Sequence, residues 1–263
     1  GGSAIVGITL GEGDQKKADR YFSLFVWTGL LAGIVLSVVG VLIVRPAAAL
    51  LGAEGEMLDY AVRYGRLLML SLPFFILQNM FQSFFVTAEK PHLGFAFTVA
   101  AGVTNMVLDV VLVGMLHGGV EGAAIATDIS QLVSCVLSLR FLMKSEDACR
   151  VELSAIRLHR KMAGRIIRVG LPTGIQNMVI SFSNVLVQAS VNSYGAAAMA
   201  GFAAYMKIDG FNILPVSSIS MAATTFVGQN YGAGRLDRVK RSVWVTLAIG
   251  VIYTLCTGAA LLA

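Results

Sequence analysis

Charged residues are scarce in this sequence, and its few cysteines form no recognisable ligand or disulfide pattern. Only 13% of the 263 residues are charged, 56% are hydrophobic, and the mean hydropathy is +0.76. Soluble domains carry roughly 25% charged residues, so the composition excludes a soluble protein and predicts a polytopic membrane protein. Cys135, Cys149 and Cys256 lack a Cys-x-x-Cys spacing, and we interpret them as packing residues.

Nucleotide-binding and hydrolase motifs are also missing. The sequence contains no Walker A loop, no His-Glu-x-x-His and no Gly-x-Ser-x-Gly. It therefore predicts a protein that is not an enzyme, has no cofactor and does not hydrolyse ATP. Any transport would have to be driven by an ion gradient.

Seven stretches are long and apolar enough to cross a hydrocarbon layer, which takes about 20 helical residues each. The opening GGSAIVGITL resembles the last turns of an earlier helix, because a charged loop follows it and the chain does not begin with Met. The predicted fold class is an all-α membrane protein, truncated to about seven full spans plus the end of one more. The predicted spans are 22–44, 67–87, 93–115, 120–143, 167–192, 197–227 and 242–263.

Basic residues are concentrated in alternate loops. If the loop at 11–20 is cytoplasmic, sixteen lysines and arginines lie on that side and three on the opposite side. By the positive-inside rule, this asymmetry predicts the orientation of a multi-pass protein in the cell (inner) membrane. The same distribution argues against the alternative that the protein, with its net charge of +5, binds RNA. The predicted cytoplasmic loops are 11–20, 88–92, 144–165 and 232–241.

The longest polar interval, 144–165, divides the chain. We interpret it as an amphipathic cytoplasmic connector between an N-lobe at 1–143 and a partial C-lobe at 166–263. The other sizeable loop, at 45–66, predicts a short interfacial helix on the outer face, with Pro46 near its start.

An internal repeat links the two parts of the chain. GITLGEGDQKKADR at 7–20 matches GQNYGAGRLDRVKR at 228–241 at a constant offset of 221 residues. Chance matching of common glycines is the alternative. Both copies end one span and begin another on the same predicted side, as a parallel duplication about an axis along the membrane normal requires. Duplicated lobes of this kind are typical of transporters.

A carboxylate lies near the middle of the third span. Thr98, Gly102, Asn105 and Asp109 recur at intervals of four, three and four residues, so they share one helix face. This face must meet protein or water, because an ionised carboxylate facing lipid costs at least about 2.5–3.5 kcal/mol. Thr127 in the next, antiparallel span is expected near the level of Asp109.

Three roles are open for this group. Carboxylate, amide and hydroxyl oxygens are the hard ligands that a small cation accepts. Alternatively, desolvation favours the protonated carboxyl, so that Asp109 carries a proton. The structural alternative is that Asp109 only hydrogen-bonds Asn105 and holds helices together.

The span at 167–192 carries a regular polar face without charge. Such a face predicts the lining of a substrate cavity, with helix packing as the alternative. Gln78 and Gln82, one turn apart, are assigned to the same lining unless they pair only with each other. The polar face consists of Asn177, Ser181, Asn184, Gln188 and Asn192.

Three further charged residues within spans are candidates for ion coupling. Lys207 and Asp209 are predicted to be buried, and their separation of two residues points them to different sides of the helix. Asp128 directly follows Thr127. For Lys207 the alternative is a structural role in which its amine reaches toward the interface.

Several motifs occur in a specific order along the chain. LGEGDQKKADR closes one span, NMVLDVVLVG and GGVEGAAIAT cross the next pair, VGLPTGIQ opens the second lobe, and TTFVGQNYGAGRLDRVKR follows. Together they resemble the multidrug and toxic compound extrusion family, MATE, and its bacterial branch in particular. The resemblance extends over essentially the whole chain, from the end of the family's second helix to its ninth.

This resemblance implies a V-shaped bundle of two lobes and a secondary antiporter that exports organic, often cationic, drugs or metabolites in exchange for Na⁺ or H⁺. It implies that Asn105, Asp109 and Thr127 bind the coupling cation, with no metal beyond Na⁺ at Asp109. Some members carry acidic residues on their seventh helix, and 167–192 has none.

The expected partners are a small organic substrate, the coupling cation and the lipid bilayer, with no nucleic acid, and the protein is expected to be monomeric. One alternative function is a lipid-linked saccharide flippase of the same superfamily, which needs a strongly basic cavity. The other is a receptor or scaffold that transports nothing.

Overall fold

The computed structural model describes residues 2–144 and 160–262 and is built from helices, with no strand in these two ranges. The predicted all-α class is therefore confirmed. Most of the predicted connector and Cys149 lie outside the described residues. The helices are α1 Gly2–Gly11, α2 Gln15–Leu50, α3 Gly55–Thr87, α4 Pro91–Asp109 with the π-helix Val110–Met115, α5 Gly119–Lys144, α6 Arg160–Asn192, α7 Ala196–Gly232 and α8 Leu236–Leu262.

Each predicted span lies within a helical stretch. Six helical stretches in the described part, α2, α3, α4 with its π-helix, α5, α7 and α8, are long and apolar enough to cross a membrane. The helix α6 is continuous over its predicted span, but its polar face makes it less apolar than the others. Large apolar side chains remain exposed along most of these helices, as expected for surfaces that face lipid.

The connection between the first two spans is shorter than predicted. The helix α2 continues through Pro46 to Leu50, and α3 begins at Gly55, so the predicted interfacial helix at 45–66 is wrong. The chain reverses at Gly52, whose φ of +89° belongs to the left-handed region that glycine adopts without steric cost. Pro46 lies in the last turns of α2, where it lacks the N–H that would donate to the Leu42 carbonyl.

The described residues divide into two compact units. One comprises α1, α2 as far as Ala18, and α6 to α8; the other comprises α2 from Asp19 together with α3 to α5. The helix α1 thus packs with α7, although it belongs to the predicted N-lobe. The division into lobes at 1–143 and 166–263 stays a prediction.

Aromatic side chains form the core of the unit of α2 to α5. Phe22 of α2 packs edge-on against Phe84 of α3, with ring centroids 4.3 Å apart. Phe85 of α3 contacts Phe97 of α4 and Phe141 of α5, with centroids 5.6 and 6.2 Å away. These contacts hold α3, α4 and α5 together at one end and so position the polar side chains further along the same helices.

The internal repeat has a structural counterpart. Gly11 ends α1 and Gly232 ends α7, while Gln15 begins α2 and Leu236 begins α8, each pair again 221 residues apart. The turns also match: Gly13 and Gly234 have φ of +81° and +71°. Two copies with the same helix ends and the same turn conformation favour duplication over chance matching.

Candidate functional site

A polar cavity of about 310 Å³ lies among α3, α4 and α5. Its walls are mainly amide and hydroxyl side chains, and none of them is lysine or arginine. These three helices are joined by the aromatic contacts described above and by an exposed ion pair of 3.3 Å between Arg63 of α3 and Glu121 of α5. The cavity is lined by Phe75, Gln78, Asn79, Gln82, Thr98, Ala101, Gly102, Asn105, Thr127, Ser130 and Gln131.

The polar stripe predicted on α4 forms one wall. Thr98, Gly102 and Asn105 line the cavity, and Asp109 lies one turn beyond Asn105 on the same helix face. The Thr98 hydroxyl donates to the Gly94 carbonyl at 2.8 Å and accepts a hydrogen bond of 2.6 Å from Nε2 of Gln82. Gln82 therefore joins α3 to α4 instead of pairing with Gln78.

The opposite wall is contributed by α5. The Thr127 hydroxyl donates to the Ala123 carbonyl at 3.0 Å, so its oxygen retains lone pairs for another ligand. Gln131, one turn after Thr127, also lines the cavity, and sequence analysis missed it. The spacing of four residues between Thr127 and Gln131 is the signal that would have identified it.

Four buried polar atoms on α4 and α5 have no hydrogen-bond partner in the described part of the protein. They are Nδ2 of Asn105, Oδ1 of Asp109, Oδ1 of Asp128 and Oε1 of Gln131. A buried polar group left unsatisfied costs about 1–3 kcal/mol, and native proteins contain few of them. Three of the four are oxygens, and the carboxylate oxygens of Asp109 and Asp128 can each accept a cation or a proton.

The backbone changes conformation directly after Asp109. The residues Val110–Met115 form a π-helix, at whose end the Val111 carbonyl accepts the Leu116 N–H, five residues along the chain, at 2.9 Å. The π-helical turns are rare and often occur at functional sites. Asp109 therefore lies at a junction between two helix types, which the hydrophobic pattern of the sequence did not indicate.

The other candidate coupling residues have different surroundings. Asp128 lies within hydrogen-bonding reach of the Ser71 hydroxyl on α3. The prediction that Lys207 and Asp209 are both buried is wrong for Lys207, whose side chain is exposed on α7, while Asp209 is half-buried. Neither makes an ion pair with any residue in the described ranges.

The predicted polar face of α6 belongs to the other compact unit. Asn177, Ser181, Asn184 and Gln188 are exposed on α6, and the side chain of Asn192 lies outside the described part. Their joint lining of a substrate cavity with the glutamines of α3 stays a prediction.

A larger cavity lies within the unit of α1 and α6 to α8. It has a volume of about 790 Å³ and is bounded by α1, α7 and α8. Its lining is mainly apolar, and it contains no carboxylate or basic side chain. The smaller cavity of α3 to α5 is therefore the better candidate for ion coupling.

A family model and individual relatives both match this sequence. The sequence model of the MatE family matches residues 1–111 and 172–263. Multidrug export protein MepA of Staphylococcus aureus is 25% identical over 261 residues, which are 98% of this chain and 57% of that protein. MepA of Staphylococcus saprophyticus is 24% identical over 257 residues, 97% of this chain and 57% of that protein. The chain thus spans little more than half the length of these relatives.

Solved structures show the same fold. A crystal structure of MATE in the bent conformation has a TM-score of 0.88 at 22% identity, covering 98% of this chain and 58% of that one. A transporter of the MOP superfamily from Pyrococcus furiosus also has a TM-score of 0.88, at 21% identity, covering 97% of this chain and 57% of that one. Because the family model matches well over half of its residues, and its helices follow the fold of the MATE structures, the chain belongs to the MatE family.

Proposed function

We propose that the complete protein is a secondary antiporter that exports organic, often cationic, compounds in exchange for Na⁺ or H⁺, with Asn105, Asp109 and Thr127 as its coupling site. The observation that carries this proposal is Oδ1 of Asp109, a buried carboxylate oxygen without a hydrogen-bond partner in the described residues, one turn beyond Asn105 on the face of α4 that lines the cavity. A cation or proton bound there would neutralise Asp109 and satisfy its open oxygen.

The coupling follows from the cost of a buried charge. An ionised Asp109 without a counter-charge is unfavourable in a low-dielectric surrounding. Binding of Na⁺ or H⁺ removes this cost in one conformation, and release to the other side restores it. A transporter that opens alternately to the two sides of the membrane therefore binds the ion with different affinity in its two conformations. It can use this difference to drive export of a second solute.

The rival functions lack support in this cavity. A lipid-linked saccharide flippase needs cationic side chains for a pyrophosphate, whereas the cavity of α3 to α5 is lined by amides and hydroxyls. A receptor or scaffold has no use for unsatisfied carboxylate oxygens inside a span. The orientation, with loops 11–20, 88–92, 144–165 and 232–241 in the cytoplasm of a bacterial cell, and the monomeric state belong to the same proposal.

The test uses the complete protein in proteoliposomes loaded with a fluorescent organic cation. An imposed Na⁺ gradient or pH gradient should drive efflux in the wild type, and Asp109→Asn should abolish it while the protein elutes unchanged in gel filtration. The matched control is Asp59→Asn, which removes an exposed acid of the same unit. Gradient-driven efflux by Asp109→Asn at the wild-type rate would refute the assignment.

A further inference from the structure

A third cavity lies where the end of α7 packs against the beginning of α8. It has a volume of about 440 Å³ and is lined by Phe226 of α7 and by Arg238, Arg241, Ser242 and Val245 of α8. The four residues of α8 are spaced three, one and three apart, so they lie on one face of the helix. The cavity therefore has two guanidinium groups at one side and apolar walls beside them.

The two guanidiniums have no carboxylate partner among the described residues. The ion pairs found there join Lys17 to Glu12 and Arg63 to Glu121. Asp237 lies one turn before Arg241 but makes no ion pair with it. Arg238 and Arg241 thus present two uncompensated positive charges to one cavity.

The internal repeat supplies a matched comparison. Lys17 and Arg20 occupy the positions equivalent to Arg238 and Arg241. In the first copy, Glu12 forms an ion pair of 3.2 Å with Lys17, and Asp14 accepts the Lys17 backbone N–H at 3.0 Å.

The second copy has lost both of these acids. Ala233 replaces Glu12 and Arg235 replaces Asp14. Residues 11–20 therefore carry three acidic and three basic side chains, whereas residues 232–241 carry four basic side chains and one acidic one. A turn of the same backbone conformation is charge-balanced in one copy and strongly positive in the other, which indicates a role for the charge beyond folding the turn.

The surroundings of the cavity identify the ligand. Two arginines recognise phosphate oxygens through charge-assisted hydrogen bonds, and Phe226 and Val245 offer apolar contact for the glycerol and first acyl carbons. Trp244 of α8 is 74% exposed, and exposed tryptophans are enriched at the membrane interface. The cavity adjoins the basic loop at 232–241, which is predicted to be cytoplasmic, and basic pockets between helices on that side are suited to anionic lipid headgroups.

We propose that Arg238 and Arg241 bind the phosphate of an anionic phospholipid in the cavity between α7 and α8. This site is separate from ion coupling, because it lies in the other compact unit and contains none of the proposed coupling residues. A free phosphate ion would share the guanidiniums but not the apolar walls, so the proposal commits to the lipid.

The experiment measures lipid selectivity at Trp244 in the purified chain. Trp27→Phe leaves Trp244 as the one tryptophan, since the chain has two. Brominated phosphatidylglycerol and brominated phosphatidylcholine are titrated separately into mixed vesicles, and quenching of Trp244 reports binding nearby. We expect brominated phosphatidylglycerol to bind at least about fivefold more tightly than brominated phosphatidylcholine. One basic residue near an anionic surface contributes a factor of about this size.

The variants decide the outcome. Arg238→Gln combined with Arg241→Gln should reduce the selectivity to about one, while Lys17→Gln combined with Arg20→Gln should leave it unchanged. Because all four side chains belong to loops or the first turns of helices, circular dichroism should show unchanged helix content. Retained selectivity in the first pair, equal loss in both pairs, or displacement of the lipid by millimolar inorganic phosphate would overturn the proposal.

Discussion

Gly11 lies directly against the backbone carbonyl oxygen of Gln229, and the same contact recurs between Gly232 and the carbonyl oxygen of Ile8. Gly232 follows Gly11 by 221 residues, and Gln229 follows Ile8 by the same number, so the two contacts are related by the internal repeat. Glycine at both positions removes the side chains that would keep the two backbones apart. The ends of α1 and α7 therefore cross with a local twofold relation.

This crossing predicts that neither glycine tolerates a methyl group. A Cβ at position 11 would overlap a backbone oxygen that cannot move alone, so Gly11→Ala should lower the free energy of unfolding by about 1–3 kcal/mol. The measurement is thermal unfolding in detergent micelles. Gly201→Ala is the control, because its Cβ would meet nothing within 4 Å, and alanine favours the helix by up to about 1 kcal/mol. Equal stability of Gly11→Ala and the wild type would contradict the packing.

The beginning of α2 predicts a local difference between the two repeat copies. Asp14 caps α2 by accepting the backbone N–H of Lys17 at 3.0 Å, whereas Arg235 precedes α8 at the equivalent position. Loss of such a cap costs about 1 kcal/mol. Asp14→Ala should therefore speed hydrogen exchange of the first α2 amides about fivefold, and Arg235→Ala should not change exchange in α8. The interpretation fails if both variants behave alike.

The hydrogen bond between Gln82 and Thr98 predicts measurable coupling between α3 and α4. It is 2.6 Å long and joins two side chains that line the polar cavity. In a double-mutant cycle of Gln82→Leu and Thr98→Val, we expect an interaction free energy of about 0.5–1.5 kcal/mol. Unfolding of the four proteins in the same detergent gives this value, and purely additive effects would show that the two side chains do not interact in solution.

The proposed orientation predicts which loops react with an impermeant maleimide on intact cells. With Cys135, Cys149 and Cys256 replaced by alanine, Met57→Cys should be labelled from outside, because Met57 is exposed next to the α2–α3 turn. Lys16→Cys lies on the basic side and should react only after permeabilisation. The reverse pattern would invert the assigned topology.

Hydropathy and spacing were sufficient to predict the helices and part of the cavity. Spans of apolar residues have few alternatives to helix in a membrane, and the intervals that placed Thr98, Gly102 and Asn105 on one face follow from the helix period. Thr127 lines the same cavity as Asn105, whereas its predicted place near the level of Asp109 stays a prediction. Each of these predictions depends on local geometry that the chain fixes by itself.

Features that depend on packing between helices were not predictable in this way. The π-helix after Asp109 is marked by a hydrogen bond between residues five apart, from the Leu116 N–H to the Val111 carbonyl, and the apolar sequence VVLVGM suits an α-helix equally well. The interfacial helix at 45–66 was inferred from its polar residues, but α2 and α3 extend beyond their apolar parts. The exposure of Lys207 was likewise not predicted from its place within an apolar span.

The choice between Na⁺ and H⁺ is testable through Thr127. A proton needs only the Asp109 carboxyl, whereas Na⁺ also requires neighbouring oxygens such as the Thr127 hydroxyl, whose lone pairs are available. If Na⁺ is the coupling ion, Thr127→Val in the complete protein should raise the Na⁺ concentration for half-maximal efflux by about tenfold, the equivalent of one lost ligand of about 1.4 kcal/mol. If H⁺ is the coupling ion, the same variant should keep its pH-driven rate.

Thr127→Ser retains the oxygen and should behave as the wild type in both cases. A defect in Thr127→Ser would mean that the side chain acts through packing and not as a ligand.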